Sequence, residues 1–312
     1  MHACTASGLK RVVFPSPPVC RRHTARSSSS DSRNTRGTAI AVGARVNLFR
    51  VVPLAHMDVR VHGSVPAGPF LGARDLFEHQ YDVKKPVHVR IREDPDERTW
   101  AGHYDDRHVL NISRRAATSV MARELALHEY AHMARYEADH VSHTMGLSEI
   151  LFLALPGRRV ERRVLQQCEQ LANHAKDIYA DDITLDVAPT DRLLTFLESQ
   201  LATAVAERPP ADTEPAGGYR LTAAADPELT AVNAAFALAL LERHDAVPAD
   251  HRIYEFADLA DADAPGVDVA WFKERFRTLA DDPDESAHRH ALVDLVRAYV
   301  DAHETTTGPA AD

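Results

Sequence analysis

Glu124-Leu125-Ala126-Leu127-His128-Glu129-Tyr130-Ala131-His132-Met133 is the stretch on which the reading of this chain turns. It contains His128-Glu129-Tyr130-Ala131-His132, which matches the pattern H-E-x-x-H. Residues four apart share a helix face, so the two imidazoles can bind one Zn²⁺ at roughly 2.0–2.1 Å through neutral nitrogens. Glu129 then projects beside the metal's open position, where it can accept a proton from water. Met121, Leu125, His128 and His132 recur at helical spacing, which predicts one helix over about 119–140 seated in a core by that stripe. Thr118 or Ser119 is the expected N-cap. The competing reading is an amphipathic helix with surface histidines, in a chain that holds 18 His.

Upstream of the motif the patterning is that of a small sheet. Residues 58–62 alternate polar and apolar as a half-buried strand does, and Pro86 to Ile91 is a second strand candidate. Residues 63–72 read as loop, 74–80 as one short helix, and Asp94-Pro95-Asp96 as a turn. Trp100 to Tyr104 and His108 to Ser113, joined by Asp105-Asp106-Arg107, read as a hairpin leading into the motif helix. Downstream, helix dominates. Leu147 to Leu155 reads as a short buried helix, and Arg158 to about Ile183 as a long one whose Arg158, Arg159, Arg162 and Arg163 form a solvated face. Beyond Leu185 come an apolar stripe of Leu194, Leu197 and Leu201, a Pro- and Gly-bearing linker over 208–218, and a helix opened by Asp226-Pro227. A last helix carries Leu292, Val296 and Tyr299. The expected fold class is therefore α+β, with a mainly helical C-terminal region.

Charge divides the chain unevenly. Residues 1–56 carry nine Lys or Arg against the single acid Asp31, while residues 57–312 carry 27 basic against 45 acidic residues, a balance of −18. Lysine occurs only five times, at Lys10, Lys84, Lys85, Lys176 and Lys273. A Lys-poor acidic surface stays hydrated in concentrated salt, so the expectation is a salt-adapted cytoplasmic protein that does not bind nucleic acid. Residues 1–56 lack an apolar secretory core and are expected to be a disordered leader, with Met57 as the functional start. Cys4 and Cys20 lie in that leader, and Cys168 is expected to be a small core residue. The longest apolar run, Ile150 to Leu155, is too short to span a bilayer.

Two histidines need a third ligand. Arg135 and Ala138 stand where a metzincin-type site needs Gly and His, and His140 lies about 12 Å along a straight helix from His132. Asp177 and Asp181, in Asp177-Ile178-Tyr179-Ala180-Asp181, share one face of the long helix. A metal would neutralise their repulsion, with Asp177 as ligand and Asp181 hydrogen-bonding a ligand histidine. Glu149 and His174 are the rival ligands.

A strand, an H-E-x-x-H helix and a later helix with D-x-x-A-D resemble the zincin metallopeptidases. More narrowly they look like the gluzincins that pair H-E-x-x-H with E-x-x-A-D, such as the heat-shock and CaaX prenyl proteases. The signature is also similar to that of an uncharacterised haloarchaeal domain family. The resemblance covers roughly residues 87–185 and departs from the gluzincins at Asp177, where they carry Glu. It implies a zincin-like catalytic domain over 57–188 and says nothing of the C-terminal helices, whose apolar periods predict a helical region over 189–312 packed on that domain. It also implies His128, His132 and Asp177 as Zn²⁺ ligands, Glu129 as general base, and a peptide or protein substrate. That substrate would pair along the edge strand His108 to Ser113. Tyr136, His143 and Tyr179 are the candidates for stabilising an oxyanion. The alternative is a zincin-like module that keeps the metal for binding or regulation without peptidase activity.

Overall fold

The computed structural model describes residues 56–95, 97–207 and 226–306. The chain divides into two compact units, Met1–Val52 and Pro53–Asp312. The first lies outside the described residues, and with it the expectations for the leader and for Cys4 and Cys20.

The second unit opens with β1 (Val59–His62), α1 (Gly68–Phe77), β2 (Val87–Arg92), β3 (Trp100–His103) and β4 (His108–Ser113). Helix α1 occupies much of what the sequence suggested was loop. Its proline falls in the first turn, where the missing N–H costs nothing, and Phe70, Ala73 and Phe77 repeat at helical spacing to bury one face. The strands form one sheet in the order β1-β2-β4-β3. β1 pairs parallel to β2, β2 parallel to β4, and β3 antiparallel to β4. The hairpin is as expected, but β4 is not an edge. It sits between β2 and β3, so the free edge on the motif side belongs to Trp100–His103.

Ser113 ends β4 and caps α2 (Arg114–Ala117), its Oγ accepting from Ala116 N at 3.2 Å. This turn takes up the residues expected to start the motif helix. Ser119 Oγ bonds Ala116 O at 2.8 Å, and α3 (Ala122–Glu137) begins at Met121 with no side-chain cap. The face of α3 in the core is also not the predicted stripe. Leu127, Tyr130 and Ala131 are fully buried against the sheet and α1, whereas Met121 and Leu125 are only partly covered.

α3 stops at Glu137. Asp139 has φ 51°, a left-handed conformation that Asp tolerates better than most residues, and it turns the chain back. His140 then caps α4 (Val141–Thr144). α5 (Leu147–Ala154) buries Ile150 and Ala154 but leaves Phe152 78% exposed, so it is not the buried helix the sequence suggested. α6 (Arg162–Val187) is the longest helix among the described residues, followed by α7 (Thr190–Ala206), α8 (Pro227–Arg243), α9 (Ile253–Asp263), α10 (Val269–Arg277) and α11 (Glu285–Thr306). Asp226 caps α8 through bonds from Glu228 N and Leu229 N, as the Asp-Pro pair predicted. Arg163 is exposed, as the solvated face predicted, and it also forks onto Asp226 at 2.9 and 3.1 Å and ties α6 to α8.

α6 belongs to two cores. Its Cys168, Leu171, Ala175, Ile178 and Tyr179 pack with α8, α10 and α11. Its Ala180 and Ile183 pack with the sheet, α1 and α3. A further cluster joins Leu201 of α7 to α8 and α9. Cys168 is a free, fully buried thiol, as expected, and burial pushes its pKa up to about 12. The architecture is α+β, a small mixed sheet beside a mainly helical C-terminal region. No helix among the described residues is long and apolar enough to cross a membrane.

Candidate metal centre

α3 and α6 lie against each other and bring their functional faces together. Arg135 Nε donates to Tyr179 O at 2.9 Å, which fixes the register of one helix on the other. In that register His128, His132 and Asp177 converge. His128 Nε2 and His132 Nε2 are 2.9 Å apart, and Asp177 Oδ1 lies 3.3 Å from His132 Nε2 and 3.9 Å from His128 Nε2. Ligands at about 2.05 Å on a tetrahedral ion are separated by about 3.3 Å, which is the scale of this triangle. Two imidazole nitrogens at 2.9 Å need either a proton or a cation between them. The site thus fits a tetrahedral ion with one position left open.

The other ring nitrogens are tied down. His128 Nδ1 donates to Asp181 Oδ1 at 2.6 Å, which turns Nε2 toward the triad. His132 Nδ1 lies 2.8 Å from His143 Nε2. His143 Nδ1 lies 2.7 Å from Ser142 Oγ, and that hydroxyl lies 2.7 Å from His140 Nδ1. His140 Nδ1 also accepts from Ser142 N at 3.3 Å, so it carries no proton. The polarity of the whole relay is then set: Ser142 O–H donates to His140, His143 Nδ1–H to Ser142, and His132 Nδ1–H to His143. His132, like His128, then turns Nε2 toward the triad, where a proton shared across the 2.9 Å gap would give way to a metal. This positioning relay depends on the chain reversal at Asp139, which the expected straight helix to residue 140 would have prevented.

Electrostatics obey the same geometry. Burial alone would lower His128, but Asp181 beside it, then Asp177 and Glu129, raise it to about 10. Burial would raise Asp177, yet the imidazoles of His132, His174 and His128 that face it hold it well below the usual carboxylate range. Binding a metal here therefore displaces a proton from His128. Glu129 is buried and raised by burial, against the pull of His132 and His128. None of the hydrogen bonds among the described residues ends on its carboxylate, so both oxygens are available to a water or substrate.

The rival ligands are engaged elsewhere. Glu149 pairs with Arg289 at 2.9 Å and is half exposed. His174 Nδ1 approaches the other oxygen, Asp177 Oδ2, at 3.8 Å, while its Nε2 bonds Asn233 Oδ1 at 2.8 Å. Among the oxyanion candidates, His143 is committed to His132. Tyr179 is fully buried next to His140 and His288, and its hydroxyl has no partner among the described residues. Tyr136 stacks on His103 of β3 at a ring separation of 4.1 Å. Two residues at the site were not anticipated. Lys176 is lowered by burial, against the attraction of the Asp177 and Glu129 carboxylates. His103 is depressed to about 3, by burial first and then by His108, Lys176 and His132. Lys176 could have been noticed, being one of five lysines and adjacent to Asp177. His103 carried no signal, because its place depends on the strand order.

No curated protein matches this chain. No solved structure matches it either. A family model does match, over residues 57–301, and so takes in the sheet, the triad and nearly all of the C-terminal helices. On that match the chain belongs to a family of unknown function, DUF5781.

Proposed function

We propose that the chain is a zinc-dependent peptidase of the zincin type. The observation that carries this reading is the combination at one point of the His128–His132–Asp177 triangle and the unengaged carboxylate of Glu129. Zinc is favoured over harder cations because two of the three ligand atoms are imidazole nitrogens in a near-tetrahedral arrangement. When bound, zinc supplies Lewis acidity to a water and to the scissile carbonyl. His128 and His132 hold their lone pairs in place through Asp181 and His143, and Asp177 contributes negative charge. Glu129, its basicity raised by burial, takes the proton of the attacking water and returns it to the leaving amine. Lys176 lies close enough to the Glu129 and Asp177 carboxylates to feel both, and it offers positive charge to an oxyanion. An extended peptide would pair with the free edge of β3, with His103 at the end of that strand nearest the site. The acidic, Lys-poor body supports a cytoplasmic, salt-adapted setting.

A second reading is a metal-holding module without hydrolysis. It is favoured by the covering of the site, since Glu129 is 5% and His132 8% exposed. Glu129→Gln separates the two. On the peptidase reading, this variant keeps near-stoichiometric zinc and the wild-type fold but loses cleavage of a denatured-protein or peptide-library substrate in molar salt. His128→Ala loses both metal and cleavage. Wild-type protein that holds zinc and cleaves nothing that Glu129→Gln leaves intact would favour the module.

A further inference from the structure

Beside the metal triad a second relay of polar side chains begins at Glu137. Its carboxylate accepts from Lys84 N at 2.7 Å, from Lys85 N at 2.8 Å and from His108 Nε2 at 3.0 Å. A carboxylate only accepts, so the proton on the last of these bonds belongs to His108. His108 is fully buried and burial lowers its pKa, so the ring is neutral and its Nδ1 is bare. That nitrogen lies 3.0 Å from His103 Nδ1. One proton lies between the two, and only His103 can supply it. His103, itself held neutral by burial, is left with an unprotonated Nε2 that no group among the described residues bonds. The ring is partly exposed, so this lone pair is open to a ligand.

The strand carries that nitrogen to where a bound peptide would pass. Tyr104 N donates to Arg107 O at 2.9 Å, and His108 N donates to Pro86 O at 2.9 Å, on the β2 side. By the alternation of an antiparallel pair, Ala101 and His103 then turn their backbone N–H and C=O away from β4, to the open edge. The His103 ring faces α3, where it stacks on Tyr136 at 4.1 Å. Tyr136 follows His132 by one turn of α3, about 6 Å along the axis. Glu137 is the last residue of α3, so the relay runs back along the helix toward the triad. A peptide strand added at this edge sets one residue opposite His103, its side chain on the same face at a Cβ separation of about 4.5–5.5 Å.

We propose that His103 sets the substrate preference of the site, selecting opposite itself a side chain that donates a neutral hydrogen bond: Ser, Thr, Asn or Gln. This preference belongs to the peptidase reading and rests on it. A bare imidazole nitrogen accepts from a hydroxyl or a carboxamide, whereas an aliphatic side chain would strip water from it and return no bond. Lys and Arg also donate, but Lys85 and Lys176, whose charges already weigh on the ring, repel them. Asp and Glu set lone pairs against a lone pair. The Glu137 anchor keeps the ring in this tautomer.

The test uses the zinc-loaded full chain in molar salt and a random heptapeptide library, with cleavage sites read by mass spectrometry. One subsite should be enriched in Ser, Thr, Asn and Gln over Ala, Val and Leu. In the best substrate, exchanging Thr for its apolar isostere Val at that subsite should lower kcat/KM by roughly tenfold or more. His103→Phe keeps a ring against Tyr136 and removes the acceptor. It should hold zinc like wild type and cleave the Thr and Val peptides nearly equally. His103→Gln keeps an acceptor oxygen and should retain more of the difference than His103→Phe. Ring-nitrogen chemical shifts of the wild type should show His103 Nε2 unprotonated, a reading that needs no turnover. A protonated Nε2 overturns the proposal. So does a cleaved library with no such subsite, or a Thr-to-Val ratio that His103→Phe leaves unchanged, and in both cases the cleavage itself upholds the peptidase reading. A zinc-loaded protein that cleaves nothing overturns that reading and the proposal together.

Discussion

Asp177 is the residue at which this chain departs from the pattern it otherwise resembles, and the geometry explains how a shorter side chain suffices. α6 lies close enough to α3 for Arg135 to bond a backbone carbonyl of α6, so the carboxylate need not reach far. Asp177→Ala should therefore abolish tight zinc binding, whereas Glu149→Ala, which loses only a surface pair with Arg289, should bind zinc like wild type. Competition against a chromophoric chelator measures both, and the reverse order would move the third ligand to α5. Asp181 bonds His128 and stands outside the His128–His132–Asp177 triangle, so on the proposed reading it acts through His128. Its replacement by Ala should weaken zinc by roughly 10–100-fold while leaving the fold intact. A change in thermal midpoint without a change in zinc affinity would make Asp181 a purely structural partner.

At the scale of elements, the junction of α6, α8 and α10 rests on Arg243. Its guanidinium forks onto Asp182 at 2.9 and 3.1 Å and donates to Leu279 O at 2.6 Å, while His244 approaches the same carboxylate at 2.8 Å. Asp182→Ala leaves a guanidinium that is only 11% exposed with the exposed Asp281 as its remaining carboxylate, and should cost about 2 kcal/mol in chemical denaturation. Burial would raise Asp182, but the bonds from His244 and Arg243 win and lower it. A carboxylate depressed in the folded state contributes stability that is complete above its unfolded value of 3.8 and is lost as pH falls through the folded one. The wild type should thus lose more stability below about pH 4 than Asp182→Asn does.

The elements legible in the sequence were those with a strong local period. The alternating strand β1, the apolar strands β2 and β4, the Asp-Pro opening of α8 and the motif helix were all readable, and so were the residues of the triad. What escaped depended on distant partners. α10 is held by Phe272 and Phe276 packing into a core shared with α6 and α11, and nothing local marks its start except the Asp268 cap. The placing of β4 inside the sheet required knowing that β2 would run parallel beside it. The positioning relay through His140, Ser142 and His143 required a single left-handed residue at Asp139.

The whole molecule carries its charge unevenly, with a balance of −18 over residues 57–312. Repulsion of that size is weakened when the Debye length shrinks from about 30 Å at 0.01 M salt to about 3 Å at 1 M. The unfolding midpoint should rise substantially from low to molar potassium chloride, and a flat response would defeat the salt-adapted reading. Residues 1–56 share neither the charge nor the patterning of residues 57–312, so the fragment 57–312 should keep the thermal transition of the full chain. A lower midpoint for the fragment would give the leader a part in the fold. α6 sets a different limit. Asp177 and Asp181 stand on the same helix as Leu171, Ile178 and Tyr179, which face the C-terminal core. The helices after residue 188 are thus the mould in which the Asp177 side of the candidate metal site is cast. Evolution could not trade them for another partner, as it trades modules on linkers, without re-inventing the surface that brings Asp177 to the two histidines.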